Sequence, residues 1–273
     1  MDFKPYYLVS LHAFLVASVL YSIYLPAPRA WLLAAARAIS FAGLLVHTVP
    51  LVLAHVEGNS FIGSAGPFFY ILAWAIPATY HAVRLRYEVR LLGLLGAPLA
   101  TLFTALGLLS EEKPLPPASA HLLWIEAHVV VMSLGVALFA VSAAAGLLYV
   151  YQDWRLRHKR MGGGPQLPDL ESLDALGRRL LVYGFALLTL GLSLGWAAAL
   201  ALGRTEAVRG DPLSISFNLT WMLYLGLLSF RMAGRIGARQ AAVLSLACYG
   251  LALLVMIGVN VWAGPAHYHS HMG

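Results

Sequence analysis

Histidine is the residue type in this sequence best suited to chemistry, and the chain contains ten of them. An imidazole in or beside an apolar layer is costly unless it is hydrogen-bonded or bound to a metal, and neutral histidine is a good axial ligand for haem iron. His128 stands at the start of one long apolar stretch and His267 just past the end of another. This pair predicts bis-histidine ligation of one haem, whereas an interfacial belt of histidines and tyrosines is the simpler alternative.

Other histidines offer further ligands, each with a structural alternative. His47 and His55 are about two helical turns apart, so both can face one side of the same helix at different depths. The tail carries His267, His269 and His271 at alternating positions. Alternating histidines can chelate a divalent metal, so a metal-binding tail is a weaker alternative to haem.

Several other chemistries are excluded by composition. Cys248 is the only cysteine, so the chain by itself has no disulfide, no Cys-x-x-Cys redox pair and no covalent haem attachment motif. Acidic residues are nearly absent from the apolar stretches, which argues against a proton or sodium pathway built on buried carboxylates. A haem held by this chain is therefore expected to be a non-covalent haem b.

The elements that must position these histidines are membrane-spanning helices. With 60% apolar and 11% charged residues, the chain has too little polar surface for a soluble globule. We predict an all-α, polytopic membrane bundle of about eight transmembrane helices in a single domain, residues 1–273. The first span is interpreted as a retained helix, because no cleavage site follows it. The predicted spans are 5–25, 31–55, 67–83, 91–109, 122–151, 179–203, 216–232 and 240–263.

The orientation of the bundle follows from the basic residues. Most arginines and lysines fall in every second connection, and only Lys4, Lys113, Arg204 and Arg209 lie in the alternate set. The positive-inside rule then places both termini on the extracytoplasmic side and the basic loops in the cytoplasm, with the chain in the inner (cytoplasmic) membrane among its lipids. Scattered loop charges of this kind do not indicate nucleic-acid binding.

Several motifs resemble the CcsA-type cytochrome c assembly proteins, a family that includes shorter HemX-like members. The resemblance covers most of the chain, and its motifs are Leu45-Val-His47, Phe68 to Trp74, Glu126-Ala-His128 with Ser133 and Gly135, and Gly258-Val-Asn260 with Gly264 and His267-Tyr268. By this resemblance the outer histidine pair of the family transfers onto His128 and His267. His269 is a competing choice, because the last motif has an extra residue here.

The tryptophan-rich haem motif of that family is only partly present here. Asp211-Pro212 and Thr220-Trp221 match its skeleton, but Gly210 replaces the preceding tryptophan and Ser229 stands in place of the membrane histidine. The resemblance therefore implies reduced haem handling, with one haem near the outer surface. Residues expected to cover the porphyrin or pair with its propionates are Asp211, Trp221, and Arg204 or Arg209.

The leading hypothesis is a haem-binding membrane protein that passes haem to a cytochrome c assembly partner or senses it. Exchange of iron ligands needs no bond-making catalysis, so we do not expect an enzyme. The resemblance to HemX-like proteins gives an alternative, a regulator that contacts glutamyl-tRNA reductase through the basic connection 152–178. A small-molecule or metal transporter is a third hypothesis, although no inverted repeat is detectable.

Overall fold

The computed structural model describes residues 3–56, 65–87, 89, 91–110, 122–159, 167–203 and 205–263. All regular secondary structure in these ranges is helical. The helices are α1 (Lys4–Tyr24), α2 (Ala30–Val56), α3 (Ala65–Arg86), α4 (Gly93–Leu109), α5 (Leu122–Arg157), α6 (Leu170–Ala201), α7 (Thr205–Gly210), α8 (Pro212–Met232) and α9 (Ala238–Ala263).

The predicted helical membrane bundle is confirmed at this level. Each of the eight predicted spans overlaps one of the long helices, and α7 is a short addition between α6 and α8. By length and composition, α1, α2, α5, α6 and α9 are long and apolar enough to cross a membrane, while α4 is apolar but shorter. The number of crossings and the side on which the termini lie remain predictions.

The helix ends are set by local hydrogen bonds that the sequence encodes. Asp169 caps α6 by accepting hydrogen bonds from the Ser172 amide and hydroxyl, and these bonds lower the pKa of its carboxyl group. Because of this cap, residues 170–178, which precede the predicted sixth span, form the first turns of α6 itself. At the far ends of α6 and α8, Gly203 and Gly234 adopt φ values of 64° and 66°, which only glycine adopts without strain.

Among the described glycines, those that pair α5 with α6 allow the closest approach to the backbone of another helix. A Cβ atom on Gly135 would lie 2.9 Å from the Leu188 amide nitrogen, and one on Gly184 would lie 2.8 Å from the Phe139 ring. Gly146 approaches α9 in the same way, since a Cβ there would lie 3.0 Å from the carbonyl oxygen of Ala242. Small residues are needed here because lipid provides no hydrophobic force between helices, which must gain their stability from close contact.

We name the two ends of the bundle by their residues. The His128 end holds the starts of α3, α5 and α8 and the ends of α2, α6 and α9, while the basic end holds the opposite helix termini. At the basic end, Asp174 of α6 pairs with Arg231 of α8 at 2.5 Å, and Asp153 of α5 pairs with Arg239 of α9 at 3.2 Å. These ion pairs join four helices where they leave the apolar layer.

Replacing Asp174 by asparagine should destabilise the bundle. The Arg231 side chain is only 11% exposed, so it would keep its charge without the carboxylate that balances it. We expect the apparent free energy of unfolding in detergent to fall by about 2 kcal/mol. The exposed pair of Arg209 with Glu206, whose side chains are 65% and 83% exposed, is the matched control. Glu206→Gln should change stability by less than about 0.5 kcal/mol, and equal losses in the two variants would contradict this account.

Candidate functional site

His128 lies in the second turn of α5 and is held by a single backbone hydrogen bond. Its Nδ1 is 2.6 Å from the carbonyl oxygen of Gly191 on α6. Because a carbonyl oxygen can only accept, the proton of this bond must reside on Nδ1, and the neutral ring keeps a lone pair on Nε2. The half-buried imidazole therefore presents the nitrogen that a metal ion would use.

The orientation of this ring depends on two glycines of α6, which have no side chains to fill the space beside α5. A Cβ atom on Gly195 would lie 2.5 Å from Cε1 of His128 and 3.0 Å from its Nε2. A Cβ on Gly191 would collide with the Met132 side chain, one turn along α5 from His128. The two glycines thus leave the space that the imidazole and the neighbouring methionine occupy.

Trp221 is anchored to the same part of α6 from α8. Its indole Nε1 donates a hydrogen bond to the Thr189 hydroxyl at 2.8 Å, and its ring stacks on Phe185 with centroids 5.6 Å apart. Thr189 is two residues from Gly191, so the two contacts lie at about the same level of α6 but on different faces of it. The structure therefore brings Trp221 and His128 to one level of α6, from α8 and from α5 respectively.

Asp211 and Arg209 occupy the start of α8 and the short α7. Asp211 is the N-cap of α8, and its Oδ2 accepts from the Ser214 amide at 2.8 Å and from the Ser214 hydroxyl at 2.7 Å. The Asp-Pro skeleton noted in the sequence is thus a helix start, with Pro212 in the first turn. Arg209 pairs with Glu206 at 2.9 Å on the surface.

His47 lies elsewhere, in a packed cluster between α1, α2 and α3. Its Nε2 is 3.0 Å from the carbonyl oxygen of Tyr70, to which it must donate, and its Nδ1 is 2.9 Å from the Ser10 hydroxyl. The side chain is 0% exposed and meets the edge of the Tyr7 ring with centroids 5.0 Å apart. Both ring nitrogens are therefore occupied, and the imidazole joins three helices.

The remaining predicted site residues are divided between the surface and the undescribed parts of the chain. His55 is exposed near the end of α2 and is not gathered with His47 into one site. Arg204, His267 and His269 lie outside the described residues. Within the described part of the chain, His, Cys, Asp and Glu side chains form no group of three suited to a metal ion.

Sequence reasoning missed the role of α6 in this site. From the sequence alone, Gly191 and Gly195 have no assigned part in the site. Their spacing of four residues places both on one face of α6, and the structure shows that this face carries the His128 ring. A histidine in one apolar span and a glycine pair in the next was the only available signal.

These features define a helical membrane protein with an oriented histidine at one end of the bundle, and comparisons with known proteins identify its family. The family profile described as "Cytochrome C assembly protein" matches residues 32–267, so the chain belongs to that family. The cytochrome c biogenesis protein CcsA of Thermosynechococcus vestitus is 27% identical over 257 residues, which cover 78% of this chain and 79% of that protein.

Other similar proteins carry the same name. CcsA of Prochlorococcus marinus subsp. pastoris is 27% identical over 232 residues, 75% of this chain and 73% of that protein. CcsA of the alga Porphyra purpurea is 22% identical over 242 residues, 72% of this chain and 74% of that protein. Together with the apolar helices, these relatives support a multi-pass membrane protein, whereas they lend no support to the HemX-like alternative.

The placement of the His128 ring can be tested without any ligand. Gly195→Ala would push a methyl group into the imidazole, so we expect the apparent free energy of unfolding in detergent to fall by about 1–3 kcal/mol. Gly226→Ala on α8 is the matched control, since a Cβ there meets no atom within 4 Å. That variant should keep or gain stability through the better helix propensity of alanine. A tolerated Gly195→Ala would contradict the close contact.

Proposed function

We propose that this chain binds one haem b non-covalently at the His128 end and passes it to a cytochrome c assembly partner. His128 is the first axial ligand and His267 of the tail is the second, with His269 as the competing choice. The observation that carries the proposal is the bond from Nδ1 of His128 to the Gly191 carbonyl oxygen at 2.6 Å, which leaves the lone pair of Nε2 for iron.

This hydrogen bond is the usual companion of a metal-binding imidazole. Histidines that bind metals almost always donate their other ring N–H to a carbonyl or carboxylate oxygen, which selects the tautomer and fixes the ring orientation. The Gly191 carbonyl supplies that acceptor, and Gly195 supplies the space for the ring. Haem iron bound at Nε2 would need no change of tautomer.

The course of α9 supports a second ligand from the tail. This helix runs antiparallel to α5: Ala242 lies against Gly146, and Met256 lines the same cavity as Val136. Position 136 of α5 is thus level with position 256 of α9, and about two helical turns further on position 128 is level with the last residues of α9, near Ala263. His267 follows four residues after Ala263 in the sequence, and a segment of this length can reach the same level.

The polar residues at the start of α8 are assigned different parts. Asp211 already accepts two hydrogen bonds as the cap of α8, so we propose that it positions the helix that carries Trp221. Among the described residues, Arg209 is held by an exposed pair with Glu206, which is worth about 0–1 kcal/mol. Arg209 can therefore turn to a haem propionate at little cost, with Arg204 as the alternative partner, and Trp221 would cover the porphyrin.

The two histidines of α2 receive unequal roles in this proposal. His47 has both nitrogens occupied and no exposed surface, so we assign it to helix packing. His55 is exposed at the His128 end and stays a candidate for contact with haem. The proposed haem site therefore consists of His128 of α5, His267 of the tail, and Trp221 of α8, which covers the porphyrin.

We further propose eight membrane crossings, with both termini outside the cytoplasmic membrane. The helix bounds support this topology because arginines at the termini of α3, α5, α8 and α9 gather at the basic end, as the positive-inside rule requires. The His128 end then faces outward. We propose no enzymatic step: the chain holds haem iron between two imidazoles and releases the haem when its iron exchanges these ligands. No observation favours the regulator or transporter alternatives.

The decisive experiment is an absorption spectrum of the chain purified in detergent, before and after addition of haemin. We expect a Soret band of low-spin, bis-histidine haem in the wild type. In His128→Ala this band should be lost or become high-spin, and added imidazole should restore the low-spin form by replacing the missing ligand. His267→Ala and His269→Ala, compared in the same way, identify the ligand in the tail.

His158→Ala is the matched control for this experiment. Like His128, His158 has its Nδ1 2.8 Å from a carbonyl oxygen, that of Trp154, but it is exposed and lies at the basic end. Its removal should leave the spectrum unchanged. A wild-type protein that takes up no haemin, or a His128→Ala variant with an unaltered low-spin band, would refute the proposed site.

A further inference from the structure

A small cavity lies among α5, α8 and α9, near the middle of their lengths. It has a volume of about 20 Å³, and apolar side chains such as Val136 and Phe139 line most of it. Tyr224 and Tyr249 also line it, and both side chains are buried. Among the described residues, neither of their hydroxyl groups has a hydrogen-bond partner.

Two buried phenol hydroxyls without hydrogen-bond partners would lower the stability of the fold. A buried hydroxyl without a partner loses about 1–3 kcal/mol relative to one that is hydrogen-bonded, and native proteins leave few such groups. Tyr224 is held in place by its stack on Phe139, with ring centroids 3.6 Å apart and planes 3° from parallel. Because the Tyr224 ring cannot turn toward another polar group, its hydroxyl needs a hydrogen-bonding molecule that enters the cavity.

A second cavity follows one turn along α9 toward the basic end. It has a volume of about 10 Å³ and is lined by Ser142 and Tyr149 of α5, Ser245 of α9, and the Asp174 and Arg231 ion pair. The Ser245 hydroxyl is also buried, and no described group bonds to it. Ser245 and Tyr249 are four residues apart, so they lie on one face of α9.

The two cavities lie one after the other along the same three helices. On α5, Phe139 lines the first cavity and Ser142 the second; on α8, Tyr224 lines the first and Arg231, two turns further on, the second. On α9, Ser245 shares the second cavity with the ion pair and stands one turn from Tyr249. Cavities of roughly 10–15 Å³ or more can hold a water molecule when polar groups line them.

We propose that α5, α8 and α9 enclose a binding site for a short file of water molecules. The file begins at the Asp174 and Arg231 pair, passes Ser245, and ends between the hydroxyls of Tyr224 and Tyr249. Water fits because it donates and accepts hydrogen bonds and can satisfy hydroxyls on three sides. Cavities of about 20 and 10 Å³ leave room for little more than one water molecule each. The site is separate from the His128 end and does not depend on haem.

Radiolytic hydroxyl labelling of the wild-type protein in detergent tests this proposal, because radicals formed from bound water modify the side chains that touch it. The matched controls are Tyr21 and Tyr80, which are equally buried but whose hydroxyls bond to each other at 2.5 Å. Peptide mass spectrometry should show labelling of Tyr224 and Tyr249 several-fold faster than of Tyr21 and Tyr80. Equal, slow labelling of all four tyrosines would overturn the proposal.

Two substitutions test the direction of the file. Ser245→Ala removes a hydroxyl between the ion pair and the tyrosines, so labelling of Tyr249 should slow. Tyr249→Phe should likewise slow labelling of Tyr224, and it should lower the melting temperature in detergent because it takes a partner from the water. If the cavity is dry, Tyr249→Phe instead removes an unsatisfied hydroxyl and leaves the melting temperature equal or higher, an outcome that would also overturn the proposal.

Discussion

The close approach of α5 and α6 is the contact on which the rest of the structure depends. Lipid offers helices no hydrophobic reason to associate, so they must gain stability from van der Waals contact between small residues. Gly135 and Gly184 bring the two backbones together, and Gly191 and Gly195 continue the contact toward the His128 end. The same contact that joins the helices also sets the histidine ring, so packing and the proposed haem chemistry share one surface.

Two buried or half-buried histidines in this bundle show how partners decide what a residue can do. His47 donates from one nitrogen to the Tyr70 carbonyl oxygen and meets Ser10 with the other, so its bonding capacity is used within the protein. His128 donates once, to Gly191, and its Nε2 retains a lone pair. The His47 imidazole therefore links helices through hydrogen bonds. Under our proposal, the His128 imidazole is an iron ligand.

The relation to the CcsA proteins has a physical counterpart in α8. Gly210 stands where the motif that the sequence resembles has a tryptophan, yet Asp211 caps the helix and Trp221 reaches Thr189 on α6. The helix start and the cross-helix anchor are therefore present although the residues beside them differ from that motif. Under our proposal, such a family member keeps the scaffold and handles haem in a simpler way.

Hydropathy and capping are local properties, so the sequence by itself determined the helices, their approximate ends and the family. It also singled out His128 and Trp221 by motif, kept His47 as a further candidate ligand, and gave Gly195 no part in the site. Those distinctions depend on which carbonyl, hydroxyl or bare glycine lies opposite a side chain on another helix, many residues away in the chain. Only the tertiary structure decided them, because the hydrogen-bond partners of His47 and His128 belong to other helices and become neighbours only when the bundle has folded.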